Sequence, residues 1–108
     1  MSFDPEKIYQ MVTQSGEDWV DKDAAATILE ETKSIVLAEL INQQPQGLGV
    51  AARENAAKAD PAYRLHITNM VTARKEANRA RVKYKSAEML AELRRSQEST
   101  NRAQMNLR

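Results

Sequence analysis

Apolar side chains recur along this chain at intervals of three and four, the spacing of one face of an α-helix. Asp4-Pro5 opens the first stretch. Asp is a good N-cap, and Pro suits the first helical position because its missing N–H costs nothing there. Ile8, Met11 and Val12 follow at helical spacing, and Ser15-Gly16 reads as the end of a short helix over about 5–14. Phe3 and Tyr9 are expected to pack it onto the rest. A second helix, about 23–44, starts in Ala24-Ala25-Ala26 behind Asp21 or Asp23. Ala25, Ile28, Leu29, Thr32, Ile35, Val36 and Leu40 make its broad face, and Leu37 and Ile41 add a second apolar edge. A helix with two apolar flanks usually has more than one neighbour. Pro45 stops it, and Pro45-Gln46-Gly47-Leu48-Gly49 marks a loop over 45–50. Ala51 to Ala59 suits a turn or two of weakly packed helix. Asp60-Pro61 then repeats the opening signal.

From Ala62 to Arg108 there is no Gly and no Pro, and most residues are strong helix formers. The pattern predicts a helix over about 61–100. Run to the last residue, it would measure about 70 Å, against about 30 Å for the helix before it. The shorter one cannot cover the longer. Residues 94–108 offer only Ala103, Met105 and Leu107 as apolar groups, so the tail, 101–108, is expected to stay disordered until bound or to be packed by another subunit.

Within the long helix Met70, Ala73, Ala77, Ala80, Tyr84, Ala87 and Ala91 form a narrow stripe of small residues with one large knob, Tyr84. Such a stripe resembles a coiled-coil seam. It serves either an intramolecular hairpin with the 24–44 helix, or self-association, or both in a dimer of hairpins. The expected fold is therefore all-α. It is a single domain over 1–108: a helical hairpin with a long C-terminal helix and a short N-terminal one, assembled as a coiled-coil-like dimer or higher oligomer.

Composition thins the picture. Apolar residues are 42% of 108, but alanine supplies much of that fraction and aromatics only 5%. Alanine buries little area, so the core should return little hydrophobic free energy. The absence of cysteine excludes disulfides, thiolate nucleophiles and cysteine metal sites, and fits a reducing compartment. The acidic start lacks the basic and apolar runs of a secretory signal, and no stretch approaches a membrane span. The expectation is a soluble cytoplasmic protein with no membrane partner.

Charge divides the chain. Residues 1–62 carry 5 basic and 11 acidic side chains, a net of −6; residues 63–108 carry 11 and 4, a net of +7. Either the halves neutralise each other, or the basic half faces an acidic protein or a nucleic acid. Arg74, Lys75, Arg79, Arg81, Lys83 and Lys85 are the candidates for that contact, with Arg74, Asn78, Arg81 and Lys85 in one row. Such a row can follow a phosphate backbone, or pair with Glu30, Glu31 and Glu39. Arg94 and Arg95 open a second polar run, which either reads an acidic surface or is an ordinary helix end, with Arg102 and Arg108 favourably placed toward the helix dipole. Trp19, the sole tryptophan, lies in an acidic segment. It is a candidate partner contact, tryptophan being enriched at binding hot spots, or it anchors the first helix to the core.

Catalytic chemistry finds little support. His66 is the only histidine and has no convincing relay partner in the pattern. Met11, Met70 and Met89 read as core fillers. No spacing matches a calcium loop or a glutamate–histidine metal motif, and Gly47-Leu48-Gly49 lacks the residues of a phosphate loop. No catalytic residue, metal or cofactor is expected.

The stretch Ala73-Arg74-Lys75-Glu76-Ala77-Asn78-Arg79-Ala80-Arg81-Val82-Lys83-Tyr84, with Glu92-Leu93-Arg94-Arg95-Ser96-Gln97-Glu98 after it, resembles small helical proteins encoded by bacteriophages and prophages. The resemblance implies an accessory protein of a bacterial cytoplasm that serves recombination and replication or blunts host defences. It carries over no active-site residues. The expected function is non-enzymatic, helix-mediated protein binding, with contact to nucleic acid through the basic face as the alternative.

Overall fold

The computed structural model describes residues 4–107, and every regular element among them is helical: α1 (Pro5–Glu31), α2 (Lys33–Asn42), α3 (Val50–Ala59) and α4 (Pro61–Asn106). Phe3 and Arg108, given packing and dipole roles above, lie outside the described residues. Both Asp-Pro signals act as helix starts. Asp4 Oδ1 accepts from the Glu6 N–H at 3.0 Å, and Asp60 Oδ1 accepts from the Ala62 N–H at 2.8 Å. Each side chain thereby satisfies one of the donors that a helix N-terminus leaves free.

Three boundaries differ from the expected ones. Ser15-Gly16 does not end the first helix, which continues to Glu31. Ser15 is buried, and its hydroxyl donates to the Met11 carbonyl at 2.7 Å, so the polar group is satisfied inside the helix. The interruption falls instead at Thr32, inside the expected 23–44 helix. The Thr32 Oγ1 donates back to the Ile28 carbonyl at 2.7 Å, a bond that bends helices, and the backbone there takes φ −88° and ψ −2°. At the other end, α4 persists through residues 101–106, beyond its expected end near residue 100.

The stretch expected to be weakly packed is a full ten-residue helix, α3, seated on α2. Ala57 is completely buried, and the Arg53 Nη2 donates to the Ile41 carbonyl at 3.2 Å.

The helices group into two compact units. One holds residues up to Asp21 with those from Asn78 onward; the other is Lys22–Ala77. In the Lys22–Ala77 unit α1 and α4 run antiparallel, as arms of a helical hairpin: Asp23 meets Arg74, while Leu29 meets His66.

Five of the six buried apolar residues among those described are alanines: Ala26, Ala57, Ala77, Ala80 and Ala87; the sixth is Leu40. The larger apolar groups stand outside this thin core. Met89 is 66% exposed and Met11 sits at the surface, so neither is the core filler its spacing suggested; Met70 is half-buried. No helix among the described residues is long and apolar enough to cross a membrane.

Candidate functional site

The first unit contains a largely apolar groove of about 460 Å³, lined by Val12, Gly16, Trp19, Val20 and Tyr84 together with Thr13, Glu17 and Asp21. Its geometry begins in the spacing of α1. Val12, Gly16 and Val20 are four residues apart and so share a row, and the missing side chain at Gly16 cuts a notch into that row. The ring of Tyr84 fills the notch. A Cβ on residue 16 would lie 3.2 Å from Tyr84 Cε2, closer than an ordinary contact, and 3.4 Å from Cδ2. Gly16 is therefore retained inside a helix for the approach it permits, against its intrinsic cost there.

Trp19 completes the wall. Its ring centroid lies 5.4 Å from that of Tyr84, with the planes tilted by 31°. Offset aromatic pairs of this kind contribute about 0.5–1.5 kcal/mol beyond their buried area. Lys85 Nζ stands 5.7 Å from the Tyr84 centroid, within reach of a cation–π contact, and also pairs with Glu88 at 3.4 Å. Trp19 thus anchors α1 and still presents a half-buried face beside the groove.

The second unit carries a polar cluster instead. Arg74 spans its neighbours with a planar fork: Nε and Nη2 reach the two oxygens of Glu30 at 2.9 and 2.6 Å, Nη1 reaches Asp23 at 2.6 Å, and Nη2 also approaches Thr27 at 3.3 Å. The hydrogen bonds from Arg74 hold the Glu30 carboxyl below the usual carboxylate range. Those to Glu30 and then Asp23 push the guanidinium pKa upward. Close by in sequence, His66 Nε2 lies 2.8 Å from the Leu29 carbonyl, next to the interruption at Thr32. The ring nitrogen must donate here, because a carbonyl only accepts.

The basic residues singled out by sequence therefore separate. Arg74 is engaged by acids of α1, of which Glu30 was expected and Asp23 was not. Glu31 and Glu39 take no part in that cluster. Arg94 pairs with Glu98 and Arg95 with Glu92, at 3.4 and 3.3 Å along α4. Lys75, Arg79, Arg81 and Lys83 are exposed and make no ion pair among the described residues.

The stripe of small residues faces inward: Ala77, Ala80 and Ala87 are buried, and Met70, Ala73, Tyr84 and Ala91 are half-buried. Opposite it on the same helix stand Val82, Met89 and Leu93. A shallow depression lined by Leu93, Ser96, Gln97, Thr100 and Asn101 continues that outer surface. Sequence reasoning passed over both the groove and this outer row. Its signals were the Val12–Gly16–Val20 spacing and the 7- and 4-residue intervals of Val82, Met89 and Leu93.

Among the described residues no three His, Asp or Glu side chains are grouped to hold a metal ion. Set against protein-family models, curated proteins and solved structures, the chain matches none.

Proposed function

We propose that this chain is a non-enzymatic binding protein that docks another protein against exposed apolar surfaces of its helices. One observation carries the reading: the core is built of alanine, while Val20, Val82, Met89 and Leu93 are 63%, 66%, 66% and 57% exposed. Each such side chain would gain about 1–2 kcal/mol on covering the surface it still exposes, so a covering partner is favoured wherever one fits. The groove offers apolar walls and aromatic rings for anchoring but no convergent acid, base and nucleophile, and the sole histidine is occupied by a backbone carbonyl.

The test is a photo-crosslinking amino acid placed at position 89 or 20 in the full chain in its native cell. Adducts with a defined protein partner are expected; the absence of any adduct at both positions would discard the reading. The resemblance of residues 73–98 to phage proteins supports an accessory role for the binding, acting on host or phage DNA-processing or defence machinery in a bacterial cytoplasm.

A second reading, contact with nucleic acid, is favoured by the free state of Lys75, Arg79, Arg81 and Lys83. It requires a complex at low salt that weakens steeply as salt is added, through release of counterions. A gel shift without a retarded band at low salt ends it.

A further inference from the structure

We propose that the occupant of the aromatic groove is the outer row of α4 from a second copy of this chain, each copy offering both surfaces to the other. The inference rests on the binding role above and names its partner. Both surfaces lie in the unit that joins residues up to Asp21 with those from Asn78 onward.

Shape and length agree. Val82, Met89 and Leu93 fall within about 40° of one another at about 100° per residue, so they form one narrow ridge. The ridge is about 16 Å long, and the Val12–Val20 row of the groove about 12 Å, at about 1.5 Å per residue. A ridge of single side chains suits a groove between two helices. Met89 is the central knob, and a thioether packs favourably against aromatic rings such as Trp19 and Tyr84.

Charge selects the same occupant. Residues 4–21 carry 5 acidic and 1 basic side chain, a net of −4, and residues 78–107 carry 7 basic and 3 acidic, a net of +4. Two exposed acids, Glu17 and Asp21, are among the residues that line the groove. Around α4, Arg79 lies about 60° from the ridge, and Lys83 and Arg81 lie about 100° from it on its two sides. None of these five makes an ion pair or side-chain hydrogen bond among the described residues, so the chain leaves opposite charges unmatched on two surfaces that both need covering. A reciprocal two-fold dimer brings the acidic groove lining of each copy toward the basic side chains on either side of the other copy's ridge, and repels a copy docked ridge to ridge.

The experiment is sedimentation velocity on the full chain from about 1 to 100 μM, the range over which a micromolar dimer assembles. Wild type is expected to dimerise. Met89→Glu should sediment as a monomer with an unchanged helical circular dichroism spectrum. The pair Glu17→Lys/Asp21→Lys and the pair Arg79→Glu/Arg81→Glu should each be monomeric alone, and an equimolar mixture of the two variants should restore the dimer. That restoration also answers any variant that merely loses stability. A monomeric wild type overturns the proposal, as does a dimer indifferent to Met89→Glu and to both reversals, or a mixture that stays monomeric. If wild type is monomeric yet crosslinks through position 89 to a different protein, self-pairing fails and the binding role survives. If it also shows no adduct but retards a labelled DNA duplex, the flank serves nucleic acid instead.

Discussion

The two units hold the same pair of helices by different means. In Lys22–Ala77, α1 and α4 are joined by directional polar contacts: the Arg74 fork onto Glu30, Asp23 and Thr27, and the His66 bond to the Leu29 carbonyl. In the other unit the joint is made by shape, with the Tyr84 ring seated over Gly16 and tilted against Trp19. Solvent weakens the first kind of contact, because exposed charges are screened and already well hydrated. The second kind depends on excluded water and close fit, and an added atom makes the ring give way. An alanine-rich interface needs both: small side chains bring the helices close but supply little burial, so a few specific contacts set their register.

Substitutions can break this contrast, beginning with the largest expected effect. Tyr84→Ala should destabilise the fold by about 2–3 kcal/mol, since it removes the one large side chain of the seam and its aromatic neighbour contact. Gly16→Val should cost about 2 kcal/mol by overpacking against the same ring. In the Tyr84→Ala background that cost should shrink or change sign, because the obstructing ring is gone and a helix interior disfavours glycine. Chemical denaturation of the four proteins in this cycle measures the coupling. Additive effects would mean that the notch is not what seats the ring.

His66→Ala should cost about 1 kcal/mol, the net worth of an ordinary hydrogen bond whose acceptor is left without its donor. Hydrogen exchange should report the loss near Thr32 rather than uniformly; an unchanged pattern there would count against the role given to His66.

The smallest effect belongs to Arg74, despite its four contacts, because the cluster is largely open to water. Its signature is dependence on pH and salt. Glu30 has a depressed pKa in the folded state, so its contribution is complete above the ordinary carboxylate range. That contribution is lost as pH falls through that range to the folded value. Arg74→Gln should flatten this acid limb of the stability curve and reduce its salt sensitivity. Denaturation midpoints at low and neutral pH, each at two salt concentrations, check the expectation; an acid limb identical to wild type would contradict it.

Much of the architecture is written locally in the sequence. The Asp4-Pro5 and Asp60-Pro61 starts, the loop at Pro45, the long Gly- and Pro-free helix and the alanine seam follow from local rules of capping, propensity and periodicity. Those rules failed where a residue had two uses. Ser15-Gly16 looks like a helix stop because both types often end helices, but nothing near it in sequence reveals that Tyr84, 68 positions later, needs the space. Thr32 looked like part of an apolar face, whereas its hydroxyl turns back onto the preceding turn. Met89 fits a core pattern only if a neighbour exists on its side of the helix. The site was legible in pieces: Trp19 and Tyr84 stood out separately, and their pairing did not.

Sequence alone determined the helical class, the capped starts and the unbroken run of the last helix from Pro61, because each depends on residues within a few turns of one another, and the opposition of charge between the halves, which is a matter of composition. Tertiary structure decided which arginine is engaged and which remain free, why Gly16 is where it is, and which apolar residues face outward. These depend on contacts between residues distant in the chain, where a single ångström separates a seat from a clash.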